Sequence, residues 1–356
     1  MHNSAIIAFL ALSASVTAAP YSPFPLPDGF PEPSPTQLAE IETLAQGTLP
    51  NGALPSSLKA TGVTTLQLIA LNEIFEVAFF TSLLSNVTNN VTGYDAAAIA
   101  PLDYNYVIDT LTAVVNQEQL HAAGVNGILA NAGETQITPC EYEFPVATFV
   151  DAIALAQTFT DVVLGTLPEA QAAFAADAGD ESGLVPLFGS VIAQEGEQNG
   201  FYRYVQKKTA SASPFLTGGS PSFAFTALQM FIVPGSCPQD IATLTAGGLS
   251  TFGPLEVITT PEAQNMTLEF AAPGDVGPDT NSIVYISGQN LPVTVPISTV
   301  TSIAGYSHFT ASFPFDSGFA HGLTIAALVN STGQTFPSND AVAAATLFGP
   351  GLIEVG

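Results

Sequence analysis

Val107, Leu111, Val114, Glu118, His121, Val125 and Ile128 recur along one stretch of the chain at alternating steps of four and three. That spacing holds side chains on a single inward stripe of a helix packed among other helices. The stripe is apolar except at its centre, where Glu118 and His121 stand. A carboxylate and an imidazole buried there are costly unless they pair with each other or with a metal.

Three other stretches repeat the pattern. A helix over 64–85 carries Leu66, Ile69, Glu73, Glu76, Phe80 and Leu83. One over 145–167, ending before Pro168, carries Val146, Val150, Ile153, Gln157, Thr160, Leu164 and Leu167, with Asp161 adjacent. One over 184–208 carries Phe188, Val191, Glu195, Gln198, Tyr202 and Val205. Each stripe is polar only in the middle. The opening stripe belongs to a helix over 103–131 with Gly133 as its stop. Arg203, Lys207 and Lys208 fall in the last turns of the fourth helix, where cations favour the C-terminal dipole. They are read as capping and solvated.

The expected fold class is therefore α+β and multidomain. A four-helix bundle with a trailing helix (223–231) spans 61–240, after a Pro/Ser-rich arm over 19–60 with one short helix at 36–45. Another short helix is expected at 169–176. From about 250 to 356 the pattern changes to short β-branched and aromatic runs at 255–259, 266–270, 283–287, 293–300, 308–313 and 323–329. These predict an antiparallel β-sandwich of immunoglobulin-like type. His308 and His321 are read there as isolated packing or surface histidines. No internal repeat is visible.

Composition excludes several functions. Four basic residues stand against 30 acidic ones, for a net charge of −26. Nothing could neutralise phosphates, so nucleic-acid binding is excluded, and attraction to anionic membranes with it. With 47% hydrophobic residues the chain can bury a sizeable core. The apolar run at 5–14 followed by Val16 and Ala18 reads as a signal peptide (1–18) cleaved after Ala18. It is too short to span a bilayer. Sequons at Asn86, Asn90, Asn265 and Asn330 fit a glycosylated secretory protein. Cys140 and Cys237, both in proline-flanked loops, fit one disulfide in an oxidising compartment. No nucleophile elbow, Gly-rich phosphate loop or CxxC pair is present.

In di-iron and di-manganese bundles, two helices each give one Glu and the other two each give Glu-x-x-His. Carboxylates bridge cations, imidazole adds a nitrogen donor, and the i,i+3 spacing puts both on one helix face. Glu118-Gln119-Leu120-His121 matches that motif. Together with Leu71-Asn72-Glu73-Ile74-Phe75-Glu76-Val77-Ala78-Phe79-Phe80 and the 194–203 segment, it resembles the ferritin-like superfamily. Within it, the chain is most similar to fungal secreted ferritin-like proteins associated with late sexual development and nutritional stress. The resemblance covers roughly 60–235. It implies iron or manganese held by Glu73, Glu76, Glu118, His121, Gln157, Glu195 and Gln198. Two positions depart from the pattern: Gln157 stands where a Glu belongs and Gln198 where a second His belongs.

Three functions follow as expectations. One is a secreted, glycosylated ferritin-like protein whose site holds one metal or none, with a structural, developmental or stress-related role. Another is a di-iron or di-manganese oxidase or peroxide-consuming enzyme. The last is a cell-wall or extracellular-matrix protein that binds through its β part. Whether the chain is an enzyme, and its oligomeric state, stay open at this point.

Overall fold

The computed structural model describes residues 21–176 and 180–356, so the expected signal peptide lies outside the described residues. The helices are α1 (Pro35–Ala45), α2 (Ala60–Thr88), α3 (Ala96–Ile99), α4 (Tyr104–Asn131), α5 (Phe149–Ala176), α6 (Leu184–Val205), α7 (Pro221–Gln229), α8 (Ala242–Ala246) and α9 (Asn339–Ala345). The strands are β1 (Glu256–Val257), β2 (Met266–Pro273), β3 (Ser282–Ser287), β4 (Val293–Ile303), β5 (Tyr306–Phe313), β6 (Gly322–Val329) and β7 (Thr346–Val355).

Local signals account for most helix ends. Ser34 caps α1 in a box with Gln37, and Pro35 fills the first turn. Asp103 caps α4 through the Tyr106 N–H. Gly133 follows α4 with φ 76°. The expected stop before Pro168 and separate helix at 169–176 are corrected: α5 runs through the proline to Ala176. A proline removes one helical bond, but the apolar stripe continues past it. Leu167, Ala170 and Phe174 are all buried, and the Phe174 ring stacks on Phe188 at 5.2 Å.

The long helices pack in a chain of neighbours. α2 lies against α4, α5 against α6, and α2 against α5. Polar side chains and the edge contact of Tyr106 with Phe201 join α4 to α6. Phe75, Phe79, Phe144 and Phe159 pack edge to face at the heart of the helical core. Beside it, Tyr142 bridges to Tyr21 on one side and Ile232 on the other. The Cys140–Cys237 disulfide clamps this junction.

The β part differs from two separate sheets. Its seven strands form one antiparallel sheet in the order β1-β2-β5-β4-β3-β6-β7. β4 turns the corner: Val293–Pro296 pair with β3, and Ile297–Ile303 pair with β5. The two edges nearly meet. Gly253 donates to the Leu347 carbonyl at 3.0 Å, and Gly349 donates back to Gly253 at 2.8 Å. The sheet is thus close to a barrel, which leaves little open edge. β7 was not expected, because Gly349-Pro350-Gly351 reads as a turn; register shifts in its pairing with β6 absorb it.

β3 and β6 are buried along their whole length. One face fills the sheet interior with Tyr285, Ala326 and Leu328. The other packs Ile286, Ile325 and Ala327 against Val162 of α5 and Phe223 of α7. The 217–219 segment between α6 and α7 presses backbone onto α5 at Gly165, whose carbonyl accepts from the Gly219 N–H at 3.1 Å. A Cβ on Gly165 would collide with the Thr217 carbonyl. Gly165→Ala is therefore expected to destabilise the protein by about 2 kcal/mol, despite alanine's better helix propensity. Urea unfolding checks it, and a gain in stability would contradict the close approach.

Candidate metal centre

Three helices deliver the acidic and imidazole side chains to one buried point. α2 brings Glu73, α4 brings Glu118 and His121, and α6 brings Glu195. A ligand atom from each lies within 4.8 Å of all the others. His121 Nδ1 is 2.9 Å from Glu118 Oε2, 3.4 Å from Glu73 Oε2 and 4.0 Å from Glu195 Oε1. The three carboxylates are fully buried, while His121 keeps 15% of its side chain exposed, so the group opens to solvent on the imidazole side.

Amides and a hydroxyl brace this group. Gln198 Nε2 donates to Glu118 Oε1 at 2.6 Å, and Tyr202 donates to Gln198 Oε1 at 3.3 Å. Gln198 and Gln194 both donate to Gln117. Gln198 thus orients Glu118 instead of presenting an oxygen to the centre. Glu76 is buried nearby but outside the group of four, and accepts from Asn72 at 3.0 Å. Gln117, Gln194 and Asn72 were missed as supports. Asn72 lies four residues before Glu76, a spacing that places both on one helix face.

Gln157 is corrected: it does not join the centre. Its Nε2 donates to Glu354 Oε2 of β7 at 2.8 Å and to Asp161 Oδ2 at 3.3 Å. Its Oε1 accepts from Gln206 and Lys208. Asp161 likewise turns away and accepts from Asn199 at 2.8 Å. Arg203 is not a solvated cap. It is 2% exposed and donates to the carbonyls of Thr209 and Gly356. His308 is not isolated either, since its Nδ1 lies 3.0 Å from Glu269 Oε1. His321 packs against the Phe315 ring.

The expected disulfide is present. Asn90, Asn265 and Asn330 are exposed, while Asn86 is half-buried in the last turn of α2.

No protein-family model matches the chain, and a search of curated proteins finds no match. The ferritin-like resemblance therefore rests on the residues alone.

The electrostatics of the centre are those of a site short of positive charge. Burial pushes Glu73 up to about 7, against the pull of His121. Burial and the other carboxylates push Glu195 and Glu76 well above the usual range. Burial also acts on Glu118, but His121 and Gln198 together bring it below its ordinary value. His121 is disfavoured as a cation by burial, yet Glu118 and Glu73 raise it well above its ordinary value. Both oxygens of Glu195 and Oε2 of Glu73 are buried without a hydrogen-bond partner among the described residues. Oxygens left this way are expensive unless they meet protons or a cation. Three carboxylates with one imidazole suit a divalent ion of the manganese, iron or zinc kind. The group could bind such an ion, and the four ligands do not choose among those metals.

Proposed function

We propose that this is a metal-binding protein that holds one divalent ion on Glu73, Glu118, His121 and Glu195. The observation that supports it is the pair of donorless Glu195 oxygens facing a histidine and two more carboxylates. We read the helical part as a degenerate ferritin-like four-helix bundle and the protein as secreted and glycosylated; the disulfide is compatible with secretion. A second ion, as an oxidase would need, is disfavoured because Gln157 is engaged elsewhere and Gln198 serves as a donor. A bound iron or manganese ion would supply redox chemistry, and zinc would supply Lewis acidity. The chain's own residues set the rest: Gln198 fixes Glu118, and Glu118 and Glu73 orient the imidazole.

Glu195→Met tests the reading without removing a needed support. The variant is expected to bind Mn²⁺, Fe²⁺ or Zn²⁺ at least about a hundredfold more weakly. It should fold as well as the parent, because a partnerless buried carboxyl is replaced by a side chain that suits its surroundings. Elemental analysis of the parent protein should find about one ion per chain. Failure to take up any of the three metals would sink the proposal, and two ions per chain would favour the oxidase reading.

A further inference from the structure

A second polar cluster, buried at its centre, lies where the helices meet the sheet. It gathers Gln157 and Asp161 from α5, Asn199 and Arg203 from α6, Lys208 just beyond α6, and Glu354 from β7. Gln157 is completely buried. Lys208 Nζ reaches its carbonyl oxygen at 2.9 Å, and Gln206 Nε2 reaches the same oxygen at 2.7 Å. On the other side of the amide, Nε2 faces Glu354 Oε2 at 2.8 Å and Asp161 Oδ2 at 3.3 Å. An amine, an amide carbonyl polarised by a second donor, and a carboxyl on the amide nitrogen are thus held together, with the amide buried and Lys208, Gln206 and Glu354 half-buried around it.

We propose that Lys208 and Gln157 condense into an intramolecular amide cross-link, with Glu354 as the acid–base catalyst. The Lys208 Nζ lone pair attacks Cδ of Gln157, forming the new C–N bond. Gln206 steadies the charge that develops on Oε1. Glu354 gives its proton to Nε2 and takes one from Nζ, the Cδ–Nε2 bond breaks, and one ammonia leaves. No oxidant or cofactor is consumed, and Glu354 ends as it began.

The surroundings favour the reacting protonation states. Burial lowers Lys208, against the pull of Glu354, which favours the neutral amine. Burial and the neighbouring Asp161 raise Glu354 well above the carboxylate range, so it carries a proton to give. Glu354 Oε1 meets no other donor among the described residues.

The product would tie α5 to the end of α6 independently of the disulfide and of the metal centre. The test is the intact mass of the full chain, deglycosylated, reduced and denatured, followed by peptide mapping without trypsin. The expected mass is lower than the sequence mass by one ammonia, with a branched peptide joining Gln157 to Lys208. Lys208→Arg and Glu354→Gln should each restore the full mass and abolish the branched peptide. A parent protein of full mass, or a loss of ammonia that survives Lys208→Arg, overturns the proposal.

Discussion

Metal affinity is expected to rise at least about a hundredfold per pH unit near neutrality, because binding must displace protons from Glu195 and His121 and, below about pH 7, from Glu73 as well, each displaced proton contributing a factor of about ten per unit. Glu195 and His121 hold protons in the metal-free protein, as their raised values require. The stability of the metal-free protein should run the other way. Glu73 moves from 4.5 in the unfolded chain to about 7 in the folded one. Its contribution is complete below about pH 4.5 and falls by about 1.4 kcal/mol per unit as the pH climbs to 7. Glu195 and Glu76 extend that loss upward. His121 acts in the same direction: its contribution is present below 6.5 and disappears as pH rises through its higher folded value. Glu118, lowered in the fold, contributes above its unfolded value and weakens only as the pH falls through the lower folded one. With an ion bound, the carboxylates no longer need protons. The thermal shift produced by metal should therefore widen steadily from about pH 6 to about pH 8. Titration calorimetry in buffers of different ionisation enthalpy measures the released protons directly. Affinity independent of pH would mean that the ion binds elsewhere.

Loss of the disulfide is expected to cost about 4 kcal/mol. Cys140 and Cys237 are 97 residues apart in sequence, and closing a loop of that size restricts the unfolded chain by about 4 to 5 kcal/mol. The bridge joins the α4–α5 connection to the segment after α7. The rings of Phe75, Tyr142 and Phe231 pack beside it, so the native arrangement should persist without it. The Cys140→Ser, Cys237→Ser double variant should therefore keep its near-ultraviolet spectrum while its urea midpoint falls. A change below about 1 kcal/mol would show that the unfolded chain is already compact around this junction.

Much of the helical part was legible because helical period is local. The stripes of α2, α4 and α6 place Glu73, Glu118, His121 and Glu195 at mid-height from spacing alone, and these four meet in space. Gln157 obeys the same spacing and yet points elsewhere. Its amide on α5 is claimed by the sheet, which offers Glu354. Arg203 looked like a solvated cap because its position near a helix end says nothing about what covers that end. The segment after α6 and the end of β7 bury it.

The β part shows the same division. Alternating and β-branched runs located six of the strands. They did not reveal β7, whose Gly-Pro-Gly interior breaks the pattern. Nor did they reveal that one strand turns a corner to join two halves into a nearly closed sheet. Strand pairing joins residues far apart in the chain, and local pattern carries no record of the partner.

The sequence by itself therefore determined the four polar-centred helices, the change to β structure near residue 250, the single disulfide and the core of the acidic–histidine group. Tertiary structure decided which polar residues converge and which divert, since a stripe sets what a helix buries but only packing sets what it is buried against.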